Sequence, residues 1–253
     1  MSKNSNLHNA KRLKNDEFYT QFEDIEKELK HYLPYLYGKT VYCNCDNETS
    51  NFVKYFKSLN HIILIHTSDD FRLHTDLIQQ ADIIITNPPY SLLSEFITLM
   101  LEFDKDFLII GTQNTITYRE VFKAIQSNKI RLGYNCVRWF VRPDGTLKEG
   151  ARSYWLTTLP VDKEKQLNLK EHYSPEKYPA YDNYPAIEVG RSKLIPLDYD
   201  GVMGVPVSFM EKYNQNQFEL IDINPYFFNT IPKPRQLTVN NKAVYSRLLI
   251  KKL

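Results

Sequence analysis

Residues 82–111 read DIIITNPPYSLLSEFITLMLEFDKDFLIIG. Asp82-Ile-Ile-Ile-Thr86 and Phe107-Leu-Ile-Ile-Gly111 are short, continuous apolar runs. Neither alternates apolar with polar residues, so each reads as a strand buried on both faces, as in a parallel sheet. Leu92–Phe103 between them reads as a strongly apolar helix. Strands alternating with helices imply a parallel sheet with helices on both faces.

The alternation extends outward in both directions. Asp24–Leu33 carries Ile25, Leu29, Tyr32 and Leu33 at helical spacing, and Lys39–Cys45 reads as a strand. Ser50 caps a helix with Phe52, Val53, Phe56 and Leu59 on one face. His61–His66 is another run read as buried on both faces, followed by a short helix around His74–Gln80. Thr117-Tyr-Arg-Glu120 reads as a capping box opening the helix Tyr118–Gln126. Beyond residue 130 the pattern changes. Val137–Arg142 and Ser153–Thr158 flank the turn signal Pro143-Asp144-Gly145, which predicts an antiparallel hairpin at the sheet edge. Prolines and tyrosines then become dense from about Pro160 to Tyr213, which predicts irregular structure in a separate lobe, and Ala243–Ile250 reads as a strand. The expected organisation is an α/β domain over 1–160 and a second region over 161–253.

Composition bounds the class. The chain has 253 residues, 42% hydrophobic and 25% charged, which excludes disordered and collagen-like structure. No apolar run approaches a membrane span, and the start has no secretory h-region. Three cysteines fit a reducing cytosol better than a disulfide scaffold. Eight glycines argue against a long Gly-rich phosphate loop. The net charge of +2 is unevenly spread: +4 over 1–14, −6 over 61–106, +5 over 123–152 and +6 over 224–253. Such segregation fits a protein with one side facing a polyanion.

Chemistry concentrates at Asn87-Pro88-Pro89-Tyr90, directly after the strand Asp82–Thr86. Open α/β sheets bind ligands at the carboxyl ends of their strands. The tetrapeptide resembles the Asn-Pro-Pro-Tyr signature of amino-methyltransferases that act on adenine. The exocyclic amine of adenine is a poor nucleophile because its lone pair is delocalised into the ring. A site that accepts both amino hydrogens draws the nitrogen toward tetrahedral geometry and exposes that pair. Asn87 offers a side-chain oxygen, and Pro88 a carbonyl with no competing N–H. The paired prolines, Pro88 and Pro89, stiffen the turn, and Tyr90 offers a face for a base drawn out of the duplex. The methyl donor that the resemblance implies is S-adenosylmethionine. Tyr19 and Thr20 belong to Phe18-Tyr19-Thr20-Gln21, which resembles a Phe-Tyr-Thr-Pro stretch closing over the methionine end of that cofactor, with Gln21 in place of proline. Cys45 and Asp46 end the first strand, where methyltransferases keep a cofactor turn. Asp70 and Phe71 stand where an Asp–aromatic pair flanks the adenine ring of the cofactor.

Taken together, Asn15–Gln21, Cys45-Asp46 with Ser50-Asn51-Phe52, Asp70-Phe71-Arg72, the NPPY motif, Thr112–Tyr118, Leu132-Gly133-Tyr134-Asn135, Tyr181-Asp182-Asn183-Tyr184, Asp198–Pro206 and Arg247–Ile250 resemble the EcoRI-type DNA adenine-N6 methyltransferase family across essentially the whole chain. The resemblance implies a Rossmann-like methyltransferase sheet with a C-terminal irregular/β target-recognition region. It further implies methylation of a flipped adenine in double-stranded DNA in the cytoplasm, and a cognate restriction endonuclease as a possible partner. Its cofactor-side residues are Tyr19, Thr20, Cys45, Asp46, Asn51, Asp70 and Phe71. Two departures stand out: the first turn has no Gly-x-Gly, and the segment before Asp70 is short for the family.

Arg138, Arg142 and Arg152 by the hairpin, with Arg247, Lys251 and Lys252 at the end of the chain, are candidate DNA contacts. No metal site is expected, because Cys43, Cys45, Cys136 and the histidines show no ligand spacing. The residues alone leave open two alternatives: methylation of another planar amine, on an RNA base or a protein glutamine, and a catalytically dead DNA-binding homologue.

Overall fold

The computed structural model describes residues 19–142, 144–162, 166–223 and 236–253. The basic segment 1–14, Asn15–Phe18, Pro143, Lys233 and Arg235 lie outside them. The chain divides into two compact units, Met1–Val161 and Asp162–Leu253.

The first unit is built on a seven-stranded sheet. Its strands are β1 (Tyr19–Thr20), β2 (Thr40–Cys43), β3 (Ile63–His66), β4 (Ile83–Thr86), β5 (Asp106–Thr112), β6 (Arg131–Val141) and β7 (Leu147–Thr157), and its helices α1 (Phe22–Leu29), α2 (Leu33–Leu36), α3 (Asn51–Lys57), α4 (Thr75–Gln80), α5 (Leu93–Glu102) and α6 (Arg119–Gln126). The strand order is β1-β6-β7-β5-β4-β2-β3. Strands β3, β2, β4 and β5 run parallel, whereas β7 is antiparallel to β5 and β6 to β7. Two neighbours of β2 set the site: β3 follows it in sequence on one side, and β4 returns on the other. That reversal is a topological switch point, where a crevice opens beyond the strand ends.

Alternation along each strand feeds two cores. Ile83, Ile85, Leu108 and Ile110 join Ile25 and Leu29 of α1, Leu36 of α2, and Phe52 and Phe56 of α3. Ile84, Phe107 and Ile109 point the other way and are equally buried. A Cβ at Gly111 would meet Leu93 Cδ2 of α5 at 3.3 Å and Leu156 Cδ1 at 2.9 Å, so α5 covers that second face. Each fully buried Ile, Leu or Phe contributes about 1.5–3 kcal/mol, and both faces of β4 and β5 collect it.

Three local readings are corrected. His61–His66 was expected to be buried on both faces, but β3 is the outer strand and Ile63 is 62% exposed. The capping box at Thr117–Glu120 does not form. Thr117 Oγ1 donates instead to Asn114 O at 2.6 Å, and α6 starts at Arg119 behind Tyr118. The hairpin strands are longer than their sequence signals, and the two-residue β1 pairs outside β6, so the hairpin is not the edge.

The second unit carries β8 (Ile187–Glu188), β9 (Met203–Pro206), β10 (Phe218–Ile223), β11 (Thr238–Val239), β12 (Lys242–Ala243) and β13 (Arg247–Lys252). A four-stranded sheet has the order β10-β13-β9-β8, and β11 pairs with β12 alone. The strand expected over Ala243–Ile250 is thus split between β12 and β13. Asn240 and Asn241 turn β11 into β12 with φ of 51° and 60°, a conformation Asn tolerates. The Asp182 carboxylate accepts from both amides, at 3.2 and 2.8 Å. Asn183 Oδ1 accepts from Thr238 N, so the Tyr181–Tyr184 stretch holds this turn.

Candidate active site

Chain segments leave β2 and β4 side by side at the switch point. Cys45 and Asp46 follow β2, and Asn87 follows β4 directly. They border a cavity of about 440 Å³, within the range of about 300–1,000 Å³ usual for small-ligand sites. The whole motif Asn87, Pro88, Pro89 and Tyr90 lines it, and so does every expected cofactor-side residue: Tyr19, Thr20, Cys45, Asp46, Asn51, Asp70 and Phe71. The cavity thus draws on five separated stretches of sequence.

Each wall has a local cause. Ser50 caps α3 by accepting from Phe52 N at 3.2 Å, which presents Asn51 to the cavity. Asn51 Nδ2 donates to Thr20 O at 2.8 Å and fixes the short strand β1. Thr20 Oγ1 is buried in the wall with no hydrogen-bond partner among the described residues. A buried hydroxyl without a partner costs free energy until a ligand supplies one. This orphaned atom, with the mixed polar and apolar lining, fits a polar cofactor such as S-adenosylmethionine.

Asp46 is buried, and both its oxygens accept from hydroxyls: Oδ1 from Ser50 Oγ, and Oδ2 from Thr86 Oγ1 at 2.6 Å. Burial pushes its carboxyl up to about 6, against the pull of those two hydroxyls. Asp70 is held below the usual carboxylate range by Arg72, whose Nε donates at 2.8 Å. The ring of Phe71 is buried edge-on against Phe96, with centroids 5.0 Å apart. It therefore forms the cavity wall rather than an open stacking platform. The ring of Tyr90 stands edge-on to Phe140 at 6.3 Å, and its hydroxyl lies 3.4 Å from Ser153 Oγ. Burial pushes the Tyr90 phenol up to about 12, so it stays neutral at physiological pH. Pro88 and Pro89 lack N–H groups, and Pro89 O accepts from Leu92 N at 3.0 Å, closing the turn into α5.

Asn47, Ser68, Asp69 and Leu92 also line the cavity and were not singled out from sequence. Ser68 and Asp69 lie just past β3, so the strand-end rule would have flagged them.

The expected DNA contacts are placed unequally. Arg138, Arg142 and Lys251 are exposed, and Arg152 is half-buried. Arg247 departs from the expectation: its guanidinium donates to both oxygens of Glu188 at 2.6–3.0 Å, and the two side chains are each 13% exposed. Tyr181 OH donates to the same carboxylate. Arg247 is therefore a strut between β13 and β8 rather than an open phosphate contact. Lys252 Nζ donates to Leu197 O and lies 3.3 Å from Asp200.

A family described as adenine-specific methyltransferase EcoRI matches residues 6–66 and 59–252. The chain belongs to that family. The chain is 37% identical to Type II methyltransferase M.EcoRI of Escherichia coli, covering 98% of this chain and 96% of the relative. It is 31% identical to M.MgeORF184P of Mycoplasma genitalium over 96% of this chain and 97% of that one. M.MpnI of Mycoplasma pneumoniae is 33% identical, with 86% of each chain covered. This EcoRI-type protein is accordingly an adenine-specific DNA methyltransferase. The alignment with M.EcoRI spans 319 residues against 253 here, so the relative carries residues without a counterpart in this chain. The family match breaks and resumes at 59–66, the stretch that ends in β3.

Proposed function

We propose that this enzyme transfers the methyl group of S-adenosylmethionine to the N6 amine of adenine at a specific site in duplex DNA, with the cavity beyond β2 and β4 as its active site. The observation that carries the reading is convergence: Tyr19, Asp46, Asp70 and Asn87 are far apart in sequence yet border one cavity. They do so in a chain of an adenine-specific methyltransferase family.

Bound there, S-adenosylmethionine supplies an electrophilic methyl group. Tyr19, Thr20, Cys45, Asp46, Asn51, Asp70 and Phe71 form its side of the cavity. On the other side, Asn87 Oδ1 and the Pro88 carbonyl accept the two amine hydrogens. This draws the nitrogen toward tetrahedral geometry and aims its lone pair. Tyr90 packs against the flipped base, and Phe140 backs its ring. No general base is required, because the methylated ammonium loses its proton to water after transfer. The catalytic contribution is orientation and electrostatic preorganisation. Arg138, Arg142, Arg152 and Lys251 are the side chains proposed for phosphate contacts. The Type II names of the relatives bring a restriction endonuclease of the same site as the proposed partner. A DNA substrate makes the cytoplasm the proposed location, and among the described residues no helix is long and apolar enough to cross a membrane.

The test is to express the chain in cells without adenine methylation and sequence the modified bases in their DNA. N6-methyladenine at one recurring sequence is expected. S-adenosylmethionine should also raise the melting temperature of the purified protein, as any native-state ligand does. Unmodified DNA together with no thermal shift refutes the reading.

A further inference from the structure

Asp46 ties together more of the site than a cofactor contact requires. Its amide donates to Thr67 O at 2.8 Å, which fixes it to the chain leaving β3. Its Oδ1 accepts from Ser50, the residue that caps α3. Its Oδ2 accepts from Thr86 Oγ1 at 2.6 Å, the length of a charge-assisted bond. Thr86 is fully buried and is the last residue of β4, immediately before Asn87. One buried residue, through its amide and its carboxylate, therefore joins the exits of β2, β3 and β4 and the start of α3.

A buried carboxylate is costly to keep, and breaking its hydrogen bonds costs more than an apolar replacement would. Both oxygens of Asp46 are already engaged, and the residue is only 8% exposed. That arrangement suits a strut better than a proton acceptor or a freely available ligand group. The amine-orienting atom needs tolerances of roughly 0.5 Å and 10–20°. Asn87 follows β4 into a turn of two prolines, which supply no N–H to anchor it. On its N-terminal side stands Thr86, held in register with Ile109 of β5 and tied by its hydroxyl to Asp46.

Resting on the proposed function, we propose that Asp46 and Thr86 form a positioning pair, in which the cofactor-side turn holds the amine-orienting Asn87 in place through the Thr86–Asp46 hydrogen bond. Thr86 is a positioning residue here, acting on the reaction through Asn87, and Asp46 adds this role to its place on the cofactor side of the cavity. The turn that carries Asp46 also presents Asn47 and Asn51 to the cavity. Cofactor binding and the placement of Asn87 are then mechanically linked.

The test compares Thr86→Val, which keeps shape and loses the hydroxyl, with Thr86→Ser, which keeps the hydroxyl. Turnover is measured on DNA whose methylated site has been mapped, and S-adenosylmethionine affinity by calorimetry. Thr86→Val should lower kcat about tenfold, the fold-change of one hydrogen bond to a charged group. Cofactor affinity should stay within about threefold by the same reasoning, because Thr86 is not a cofactor contact. Thr86→Ser should restore most of the loss. Asp46→Asn, and the double variant with Thr86→Val, complete a cycle: the double should be little worse than the worse single. If Thr86→Val does not fold, Thr86→Ser and Asp46→Asn carry the comparison, with Asp46→Asn alone losing turnover. Normal turnover in a folded Thr86→Val or in Asp46→Asn overturns the inference, as does equal loss of turnover and cofactor affinity without rescue by Thr86→Ser. Absence of DNA methylation by the unsubstituted enzyme would instead overturn the proposed function.

Discussion

Glu28 is a residue outside the cavity whose replacement should be strongly destabilising. It is fully buried in α1, and its carboxylate receives four hydrogen bonds. Oε1 accepts from Tyr134 N at 2.7 Å and Tyr32 OH at 3.0 Å. Oε2 accepts from Asn135 N and Asn135 Nδ2, both at 2.8 Å. The two amides belong to an irregular stretch of β6. Leu132 pairs with Leu156 and Cys136 with Tyr154, so β6 carries two more residues than β7 between the same rungs. Amides in such a bulge have no strand partner, and a buried amide must find one. Glu28→Gln sets an NH₂ against donors on one side of this cluster. Two bonds to a charged acceptor are lost, at about 1.5–3 kcal/mol each. The expected loss is about 3–5 kcal/mol, the range for breaking a buried charged cluster. At roughly 2–4 °C per kcal/mol for a unit of this size, the melting transition of the first unit should fall by about 6–20 °C. Differential scanning fluorimetry and urea unfolding of the full chain would measure it. Tyr32→Phe removes one donor and serves as the control, at about 1 kcal/mol. A Glu28→Gln protein that melts within about 2 °C of the parent would refute the account. It would mean that the carboxylate is not what satisfies the bulge.

Asn87→Ala should lose on the order of a hundredfold or more in methyl transfer, as for one preorganised polar contact, while S-adenosylmethionine and DNA still bind; near-normal methylation would sink the amine-orienting role. Tyr90→Phe should retain most activity, whereas Tyr90→Ala should cost about 1–3 kcal/mol and alter the fluorescence of 2-aminopurine at the target position. Arg247→Ala should destabilise the second unit by about 3–5 kcal/mol, because it leaves the Glu188 carboxylate buried without its counter-charge. Lys251→Ala should instead leave stability alone and shallow the salt dependence of DNA binding; urea titration and binding at several salt concentrations separate the two. Turnover should fall as pH drops through about 6, where Asp46 becomes neutral; His66, Cys43 and Cys45 are the titratable groups around it. The stability effect has the opposite sign: a raised carboxyl favours the folded state at low pH, and this contribution is lost as pH rises from about 4 to about 6. Asp46→Asn should flatten the acid limb of turnover and cost less stability at pH 7.5 than at pH 4, by at most about 3 kcal/mol.

What could be read in advance follows from how local each cause is. Ile83–Ile85 and Phe107–Ile110 announce a parallel sheet because strands covered on both faces need no polar residues. The motif at Asn87–Tyr90 is legible because its function depends on four consecutive residues at a strand end. His61–His66 has the same apolar pattern as those strands, yet it lies at the rim. Sheet order decides that, and no local pattern encodes it. Glu28 in FEDIEKEL reads as one more acid on the polar side of an amphipathic helix. Its partners stand 106 and 107 residues away, in a bulge that alternation alone does not reveal. Arg247 misled for a similar reason. A basic strand at the end of a chain suggests phosphate, and only the fold brings Glu188 opposite it.

The shortened segment near β3 tests which parts of the sheet the chemistry needs. Family relatives carry extra residues somewhere in the matched span, and the family match here breaks at 59–66. In this chain β3 ends the sheet, with Ile63 turned to solvent. The crevice, however, opens between β2 and β4, one strand in from that rim. From the β3 side it takes the Thr67 carbonyl that anchors Asp46, and Ser68, Asp69, Asp70 and Phe71 along the wall. All of these lie after β3. The family match thus breaks at the edge strand, while the β3 side of the cavity keeps its wall of Ser68, Asp69, Asp70 and Phe71. At that edge β3 has one strand neighbour, β2, and Ile63 faces solvent, so the chemistry rests on the inner strands β2 and β4 rather than on the rim.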